Sequence, residues 1–431
     1  MEMMRSSMLL ALLAAAAPGV TSAEELITRN RVGPSDAENA LTFRLTAFDL
    51  YSADAATAAA FAEMFTVFIE ANPGWRIDTQ LQTGAIAQEQ ARIIEQTRAG
   101  RGPDCAMIDS SQLATFKDAG LLAPMTAFFT QEEIDDLFPF VREGVTDANG
   151  DIVALWWFTD LRVLYRDTTL VPDAPQTWAE LQKAALSVAN QGLEGVLFNA
   201  GRDEAAAFDW LAHFWAQGGE LVDASGRPSF FEGENRDKFL NAVQFYVDLV
   251  ESGAAPRRVT SLASYDDLLA SAAAGSTGMF IGGNWMYGQI QNTMPAEQAA
   301  NWAVSELPGP SEDTRATGTG GWTIAALTDD PAKVEICAGI ARLYAGPGNA
   351  YQGLLPTSAS LYAEYEAFAG PEFEVFARAL ENGRARPGVP IYPEISEQIQ
   401  ILLGNVLSGS ATPEAALDAA AAEVMAAFER L

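Results

Sequence analysis

Residues 151–167, with the sequence DIVALWWFTDLRVLYRD, decide how the chain is divided. Two apolar runs, each typical of a strand, meet here at Phe158, Thr159 and Asp160. An unpaired Asp is costly in a core, so this position favours a crossover between two lobes, with Asp160 and Trp157 facing the gap between them. The alternative is one bent strand with core indoles and a solvated Asp160, and these residues alone leave both interpretations open.

The length and composition are those of a packed, soluble and strongly acidic protein. The 431 residues suffice for about two or three domains, and 49% of them are apolar. The chain carries 26 Lys and Arg against 57 Asp and Glu, a formal net charge of −31. Such a field repels phosphate backbones and anionic lipid surfaces, so the sequence predicts no nucleic-acid partner.

The first 23 residues are predicted to be a signal peptide. One Arg precedes the apolar stretch 8–17, and small residues follow it up to Ala23. This stretch is too short to span a bilayer, and no Cys that could carry a lipid follows it. We therefore expect a mature chain that begins near Glu24 and is exported to the periplasm without a lipid anchor.

The cysteines and the single histidine indicate neither catalysis nor metal binding. Cys105 lies in an apolar strand and Cys337 on an apolar helix face, which favours two buried free thiols over a disulfide. His213 lies in an apolar helix, where a packing role is expected. The sequence predicts no metal site, no cofactor and no histidine-dependent chemistry.

Alternating strands and helices predict an α/β fold built on doubly wound parallel sheets. Strands are predicted over 41–48, 75–81 and 104–108, and apolar spacing predicts helices over 61–68 and 88–99 between them. Repeated β-α-β units of this kind imply parallel pairing.

Polar side chains follow two of these predicted strands. Asp49 and Tyr51 come after the first strand, and Asp109 comes after the third. Ligands bind at the carboxyl ends of strands in such sheets, so all three are candidate contacts. Either Asp is equally well placed to cap the following helix.

The second half of the chain offers two glycine-rich stretches and one late arginine. The stretch 275–285, GSTGMFIGGNW, predicts a strand and a tight turn that displays Trp285, with a core indole as the alternative. In GTGGW, Gly321 and Trp322 lie at a predicted strand edge, and the segment is a weak phosphate-loop candidate because it lacks the lysine. Arg386 lies in a proline-held loop.

Together these motifs resemble the family 1 extracellular solute-binding proteins of ABC importers, the maltose- and trehalose-binding type. The resemblance covers nearly the whole mature chain and rests on the order of GPDCAMIDSS, ALWWFTDLRVLYRD, PQTWAEL, GMFIGGNW, GGWTIA, LLPTSASL and RPGVPIYPEIS. It implies two α/β lobes joined by three hinge segments, with a saccharide enclosed between them and no enzymatic activity. The crossover departs from the family pattern, because LYRD replaces LYYN or LIYN and Arg162 inserts a charge.

The resemblance also implies boundaries and contacts. It places the N-terminal lobe at 24–155 and 306–355, the C-terminal lobe at 156–305 and 356–431, and the hinges near 153–160, 303–308 and 355–358. By position it assigns ligand contacts to Asp109, Asp160, Trp285, Gly321, Trp322 and Arg386, with a looser match at Asp49.

Sugar chemistry agrees with this assignment, because a sugar ring needs flat aromatic platforms and planar polar groups. We therefore predict a monomeric periplasmic protein that binds a mono- or disaccharide and delivers it to the membrane subunits of an ABC importer. One alternative is a binder of a carboxylate, polyamine or phosphodiester, with Arg386 as the anion clamp. Another is a glycoside-cleaving enzyme that uses Asp109 and Asp160 as its paired carboxylates.

Overall fold

The computed structural model describes residues 26–28, 30–46, 55–83 and 86–431. The predicted signal peptide, Asp49 and Tyr51 lie outside these residues. Within them, an 11-stranded mixed sheet runs in the order β1-β2-β4-β3-β5-β10-β6-β8-β7, with β11 on β10 and β9 on β6. The strands are β1 Ile27–Thr28, β2 Arg31–Val32, β3 Asn39–Leu45, β4 Trp75–Leu81, β5 Cys105–Asp109, β6 Leu155–Asp167, β7 Glu194–Leu197, β8 Thr277–Gly283, β9 Trp302–Ser305, β10 Thr317–Ala326 and β11 Gly383–Ala385.

Helices pack against the strands of this sheet. A π-helical turn, Tyr344–Gly348, directly follows the helix Pro331–Leu343. The α-helices are α1 Ala55–Ala71, α2 Ile86–Arg98, α3 Leu113–Asp118, α4 Gln131–Asp136, α5 Pro139–Val145, α6 Trp178–Ala189, α7 Glu204–Trp215, α8 Gly233–Glu251, α9 Tyr265–Ala273, α10 Met286–Thr293, α11 Ala296–Ala299, α12 Pro331–Leu343, α13 Asn349–Gln352, α14 Leu361–Glu364, α15 Pro371–Leu380, α16 Tyr392–Leu407 and α17 Pro413–Phe428.

Strand β6 is continuous and joins two regions of the sheet. Its first half pairs antiparallel with β10, and its second half pairs antiparallel with β8 and β9. We call β1 to β5 with β10 and β11 the first sheet region, and β7 to β9 the second. The prediction of two strands that meet at Asp160 is wrong. Both halves are buried, and the charge of Asp160 is paired with Arg162 within the strand, so no break in the chain is needed.

The predicted parallel pairing holds in only part of the sheet. Strand β3 pairs parallel with β4 and β5, and β7 pairs parallel with β8. Strand β10 instead pairs antiparallel with both β5 and β6, which makes the sheet mixed. Antiparallel pairing also occurs between β1 and β2 and between β2 and β4 at the start of the chain.

A disulfide ties the first sheet region to helix α12. Cys105 of β5 and Cys337 of α12 are bonded, with their Cα atoms 5.8 Å apart. The prediction of two free thiols is wrong, although both sulfurs are buried as expected. Apolar surroundings fit a buried thiol and a buried disulfide equally well. The packing of α12 on the sheet, which brings the two residues together, joins segments far apart in the sequence.

His213 is a core residue. It is fully buried in α7 and packs against the rings of Trp178, Phe245 and Tyr246. Burial lowers the pKa of His213 to about 3. The predicted packing role is therefore confirmed.

Neither a membrane-spanning helix nor a cluster of metal ligands occurs among the described residues. None of their helices is both long and apolar enough to cross a membrane. These residues also contain no group of three or more His, Cys, Asp or Glu arranged to hold a metal ion.

Candidate functional site

The site is built on one face of the sheet where β5, β10 and β6 lie side by side. Trp322 of β10 is the cross-strand partner of both Asp109 and Phe158, and Gly320 is the partner of Asp160. Directly opposed residues in antiparallel strands project to the same side. The pairing therefore places Asp109 and Asp160 on one face, which we call the site face.

Asp160 and Arg386 lie together over Gly320. A Cβ atom added at Gly320 would lie 3.2 Å from both carboxylate oxygens of Asp160 and 3.4 Å from Nη2 of Arg386. Glycine thus leaves room for both charged groups above the strand. The Asp160 side chain remains 26% exposed, so it is open to a solute.

Arg386 is held from its far side by helix α7. Its Nη1 donates to Oε1 of Glu204 over 3.2 Å, and its guanidinium lies 4.5 Å from the centre of the Phe208 ring. Tyr392 donates to the same oxygen of Glu204 over 2.6 Å, and Ser396 donates to the other oxygen. Burial acts to lower the pKa of Arg386, but Tyr392, Glu204 and the carboxylates of the site face outweigh it and raise that pKa. Arg386 therefore stays charged.

Beside Asp160, a second arginine forms the centre of a buried polar cluster. Nη1 of Arg162 donates to Asp160 over 3.1 Å, and its Nε donates to Asp209 over 2.9 Å and to Tyr265 over 3.0 Å. Asp209 is fully buried and also accepts from Tyr265 at 2.7 Å and from Asn199 at 3.3 Å. Burial raises the pKa of Asp209, while Arg162, Tyr265 and Asn199 oppose the rise. We call Asp160, Arg162, Asp209 and Tyr265 the arginine cluster.

Three aromatic rings enclose the guanidinium of Arg162. The ring centres of Phe208, Trp285 and Tyr265 lie 4.4, 5.0 and 5.5 Å from its Cζ. Burial acts to lower the pKa of Arg162, but Tyr265, Asp160 and Asp209 outweigh it and raise that pKa. A buried cation is tolerable here because carboxylates and ring faces replace its hydration.

Trp285 is the exposed indole of the site. It is 37% exposed and meets Tyr265 edge to face, with ring centres 5.1 Å apart. The indole folds back over Gly283, where an added Cβ would lie 2.1 Å from a ring carbon, so only glycine fits beneath it. The predicted display of Trp285 by a glycine turn agrees with this geometry, whereas its contact with a ligand remains a prediction.

The other two predicted indoles lie in the core. Trp157 is fully buried and packs edge-on against Tyr344 at 5.2 Å, so the prediction that it faces a gap is wrong. Tyr344 also contacts the rings of Phe43, Phe61 and Phe65, so Trp157 is part of an aromatic core, where its large apolar ring is shielded from water. Trp322 retains only 8% exposure.

Gly321 is required for the close pairing of β10 with β6. Its φ is +128°, and an added Cβ would lie 2.1 Å from the carbonyl oxygen of Phe158. The glycine-rich segment is the interior of β10 and not a loop, so the phosphate-loop candidate is wrong.

Asp109 braces the turn after β5. Its Oδ1 accepts from the backbone N–H of Ser111 over 2.9 Å and from the Ser111 hydroxyl over 2.6 Å. The N-cap of α3 is Gln112, so Asp109 does not cap that helix. Asp109 therefore stabilises the turn that follows β5 at the edge of the site face.

A groove of about 1170 Å³ opens beside the site face. Ser110 and Arg386 belong to its lining, together with Trp156, Trp215 and Arg384. The loop that follows Arg386 meets α3 at its far end, where a Cβ added at Gly388 would lie 2.5 Å from Cβ of Ala114.

The sequence predicted four members of this site and missed the residues that hold two of them, Asp160 and Arg386, in place. It proposed Asp109, Asp160, Trp285 and Arg386, which the structure gathers at or beside the site face. It missed Glu204 and Asp209, which lie on helix α7, and Tyr265, which begins helix α9. Arg162 was noticed only as a departure from a pattern. Its position two residues beyond Asp160 on a strand, hence on the same face, was the available signal.

Comparison with known proteins gives consistent results. Residues 51–345 match the family described as bacterial extracellular solute-binding protein. A probable ABC transporter-binding protein of Deinococcus radiodurans is 28% identical over 313 residues, which are 66% of this chain and 71% of that protein.

Solved structures share the fold. The cyclic alpha-maltosyl-1,6-maltose binding protein of Arthrobacter globiformis superposes with a TM-score of 0.74 at 21% identity, covering 91% of this chain and 99% of that one. The sugar-binding protein MalE of Xanthomonas citri gives a TM-score of 0.75 at 19% identity, covering 91% and 98%. The expected α/β fold of the two-lobe maltose-binding type is thereby confirmed.

Proposed function

We propose that this chain, which belongs to the bacterial extracellular solute-binding proteins and so serves ABC transporters, binds a mono- or disaccharide between its two lobes. The observation that supports a sugar is the half-exposed indole of Trp285 close to the carboxylate of Asp160, both in contact with Arg162. A flat apolar platform beside a planar hydrogen-bonding group matches the C–H face and the hydroxyl edge of a sugar ring.

The charges around the site favour a neutral solute. Arg162 is paired with Asp160 and Asp209, and Arg386 is paired with Glu204. Since Asp109 adds a further carboxylate, the acidic groups outnumber the guanidiniums. An anionic solute would meet net repulsion, so Arg386 is better suited to donating to hydroxyl oxygens than to clamping an anion.

We assign the direct contacts to Asp109, Asp160, Trp285 and Arg386. Asp49 and Tyr51 are proposed as further contacts beyond the carboxyl end of β3. Gly321 and Trp322 are proposed as backing for the site face, at the pairing of β10 with β5 and β6.

We further propose a monomer that is exported by the cleaved signal peptide to the periplasm. There it delivers the solute to the membrane subunits of its importer and performs no chemistry of its own. The family supports the transport role, because its members bind solutes for uptake. Incubation with maltose or cellobiose should leave both sugars intact, and hydrolysis of either would favour the glycoside-cleaving alternative.

A thermal-shift screen tests the solute class. The panel contains monosaccharides, disaccharides and polyols, with amino acids, dicarboxylates and polyamines as the comparison set. A ligand at 100 times its dissociation constant stabilises the folded state by about 2.7 kcal/mol, which is readily seen as a rise in melting temperature. We expect stabilisation by at least one sugar. A rise with a dicarboxylate or a polyamine, and with none of the sugars, would replace the saccharide proposal.

A further inference from the structure

One buried guanidinium contacts both of the exposed groups on which the proposed solute site depends. Arg162 binds Asp160 through Nη1 and lies against the ring of Trp285, while its own side chain is only 6% exposed. We propose that Arg162 is a positioning residue that couples the orientation of Asp160 to that of Trp285. The assignment of these two groups to solute binding rests on the proposed function, but the coupling does not.

The guanidinium of Arg162 is held in place by the fully buried Asp209 and the partly buried Tyr265. Asp209 is fully buried and receives Nε of Arg162 at 2.9 Å, and Tyr265 bonds to both partners. Asn199 donates to the second oxygen of Asp209. Because a guanidinium is planar and its donors are rigidly arranged, fixing Nε also fixes the direction in which Nη1 points. The position of the Asp160 carboxylate is therefore set by an anchor on α7.

The guanidinium plane of Arg162 also supports the exposed indole of Trp285. Trp285 lies at the surface and packs over the backbone of Gly283, so no side chain supports the ring from that side. Its restraints are the edge contact with Tyr265 and the cation–π contact with Arg162. Both of those groups belong to the arginine cluster, so a rotation of the guanidinium changes the surface on which Trp285 rests.

Lysine cannot reproduce this arrangement. An ammonium group is able to pair with Asp209 or with Asp160, but it has no plane that fixes one direction when the other is bound. A substitution to Lys therefore keeps the positive charge and removes the coupling. Arg162→Lys therefore distinguishes a role of Arg162 in positioning Asp160 and Trp285 from a role in neutralising the nearby carboxylates.

Fluorine NMR on protein labelled with 5-fluorotryptophan tests the coupling without any ligand. The nine tryptophans give separate environments, and the signal lost in Trp285→Phe identifies Trp285. Asp160→Asn keeps the shape of the side chain and removes its charge. We expect Asp160→Asn to shift the Trp285 signal when Arg162 is present. In protein that already carries Arg162→Lys, we expect the added Asp160→Asn substitution to leave the Trp285 signal where it was.

The matched control is Arg44→Gln in the first sheet region. Arg44 also pairs with a buried carboxylate, that of Glu89, so its loss destabilises the fold without touching the cluster. If Arg162 had a purely structural role, Arg162→Lys would lower the melting temperature, as we expect for Arg44→Gln, and would leave the effect of Asp160→Asn on the Trp285 signal unchanged.

Two results would overturn the proposal: Asp160→Asn shifts the Trp285 signal equally with Arg162 and with Lys at that position, or it shifts the signal in neither protein. Should Arg162→Lys fail to fold, the double variant Arg162→Met with Asp209→Asn removes both buried charges together and serves in its place. Because no solute is added, a failure of the coupling is distinguishable from a failure of sugar binding in the thermal-shift screen.

Discussion

Trp285 differs from the other predicted indoles in how much water it meets. It is 37% exposed, whereas Trp157 is fully buried against Tyr344. A half-exposed indole gains most when a solute covers it, and a buried one has already gained that free energy on folding. Truncation should therefore affect binding at one position and stability at the other.

We predict that Trp285→Ala weakens binding of the best sugar from the screen by about 10- to 150-fold. This corresponds to roughly 1.5 to 3 kcal/mol for the lost platform. The melting temperature of the empty protein should change little. Isothermal titration calorimetry and thermal unfolding measure the two effects.

Trp157→Ala is the matched control, since it removes the same side chain from the core. It should lower the free energy of unfolding by about 3 to 5 kcal/mol. If Trp285→Ala instead bound the sugar normally and unfolded early, Trp285 would belong to the core and the site would be misplaced.

His213 predicts a pH dependence of stability. Its folded-state pKa of about 3 lies below the ordinary value of 6.5, because burial disfavours the charged imidazolium. Between these values the unfolded chain holds a proton that the folded chain lacks. His213 therefore costs no stability by protonation above pH 6.5, and as the pH falls from 6.5 towards 3 it lowers the free energy of unfolding by at most about 1.4 kcal/mol per pH unit.

Chemical denaturation of the protein and of His213→Phe between pH 7 and pH 4 measures this effect. The variant keeps a ring among the aromatic neighbours and removes the titrating group. We expect its free energy of unfolding to fall less steeply with acidification. Parallel curves for the two proteins would mean that His213 does not supply the acid sensitivity.

Local signals predicted single elements well. Strand β4 runs from Trp75 to Leu81 as the apolar pattern indicated. Thr177 and Thr412 cap α6 and α17, and Pro413 occupies the first turn of α17. These features depend on a few neighbouring residues, and the sequence displays those neighbours directly.

Features that join distant segments were the ones missed. The apolar runs around Asp160 fit one strand or two, and the partners β10, β8 and β9 that make β6 continuous come much later in the chain. In the site, Asp160 and Arg386 could be proposed, but their partners Asp209 and Glu204 lie on helix α7, which no local pattern connects to them.

The disulfide should make a measurable contribution to stability. Cys105 and Cys337 close a loop with a sequence separation of 232 residues. We predict that Cys105→Ala with Cys337→Ala lowers the free energy of unfolding by roughly 2 to 5 kcal/mol. Urea unfolding of the oxidised protein and of the double variant gives the difference.

Reduction with a small thiol reagent provides the control, since the reduced protein should resemble the double variant. Binding of the best sugar should be preserved in both, because Cys105 lies at the opposite end of β5 from Asp109. Equal stability of the oxidised protein and the double variant would show that the loop is already constrained by the sheet.

The continuous strand β6 joins the two sheet regions, so a rotation of one region relative to the other bends the chain at this strand. It pairs with β10 on one side of Asp160 and with β8 and β9 beyond it, and Thr159 donates to the carbonyl of Leu355 over 2.9 Å. Two of the three proposed hinge segments thus lie side by side at 153–160 and 355–358. Strands that cross between lobes permit rotation without disturbing either core.

We predict that the best sugar from the screen reduces the radius of gyration of the protein. Closure of the lobes around the solute brings mass towards the centre. Small-angle X-ray scattering with and without that sugar measures the change, and a sugar that produces no thermal shift is the control. An unchanged radius at saturation would contradict closure, although binding itself would stand.

The place of β10 in the sheet also sets an order of events while the chain is being made. Strand β5 ends at Asp109, but its neighbour Thr317–Ala326 is synthesised only after the whole second sheet region. Until then β5 presents an unpaired edge, and Cys105 has no partner. The two sheet regions therefore mature in reverse of their order in the chain: the second can close first, while the first must wait for β10 and for the oxidation that joins Cys105 to Cys337. A chaperone that binds the nascent chain would therefore act mainly before β10 is synthesised, when the edge of β5 and the thiol of Cys105 are unpaired.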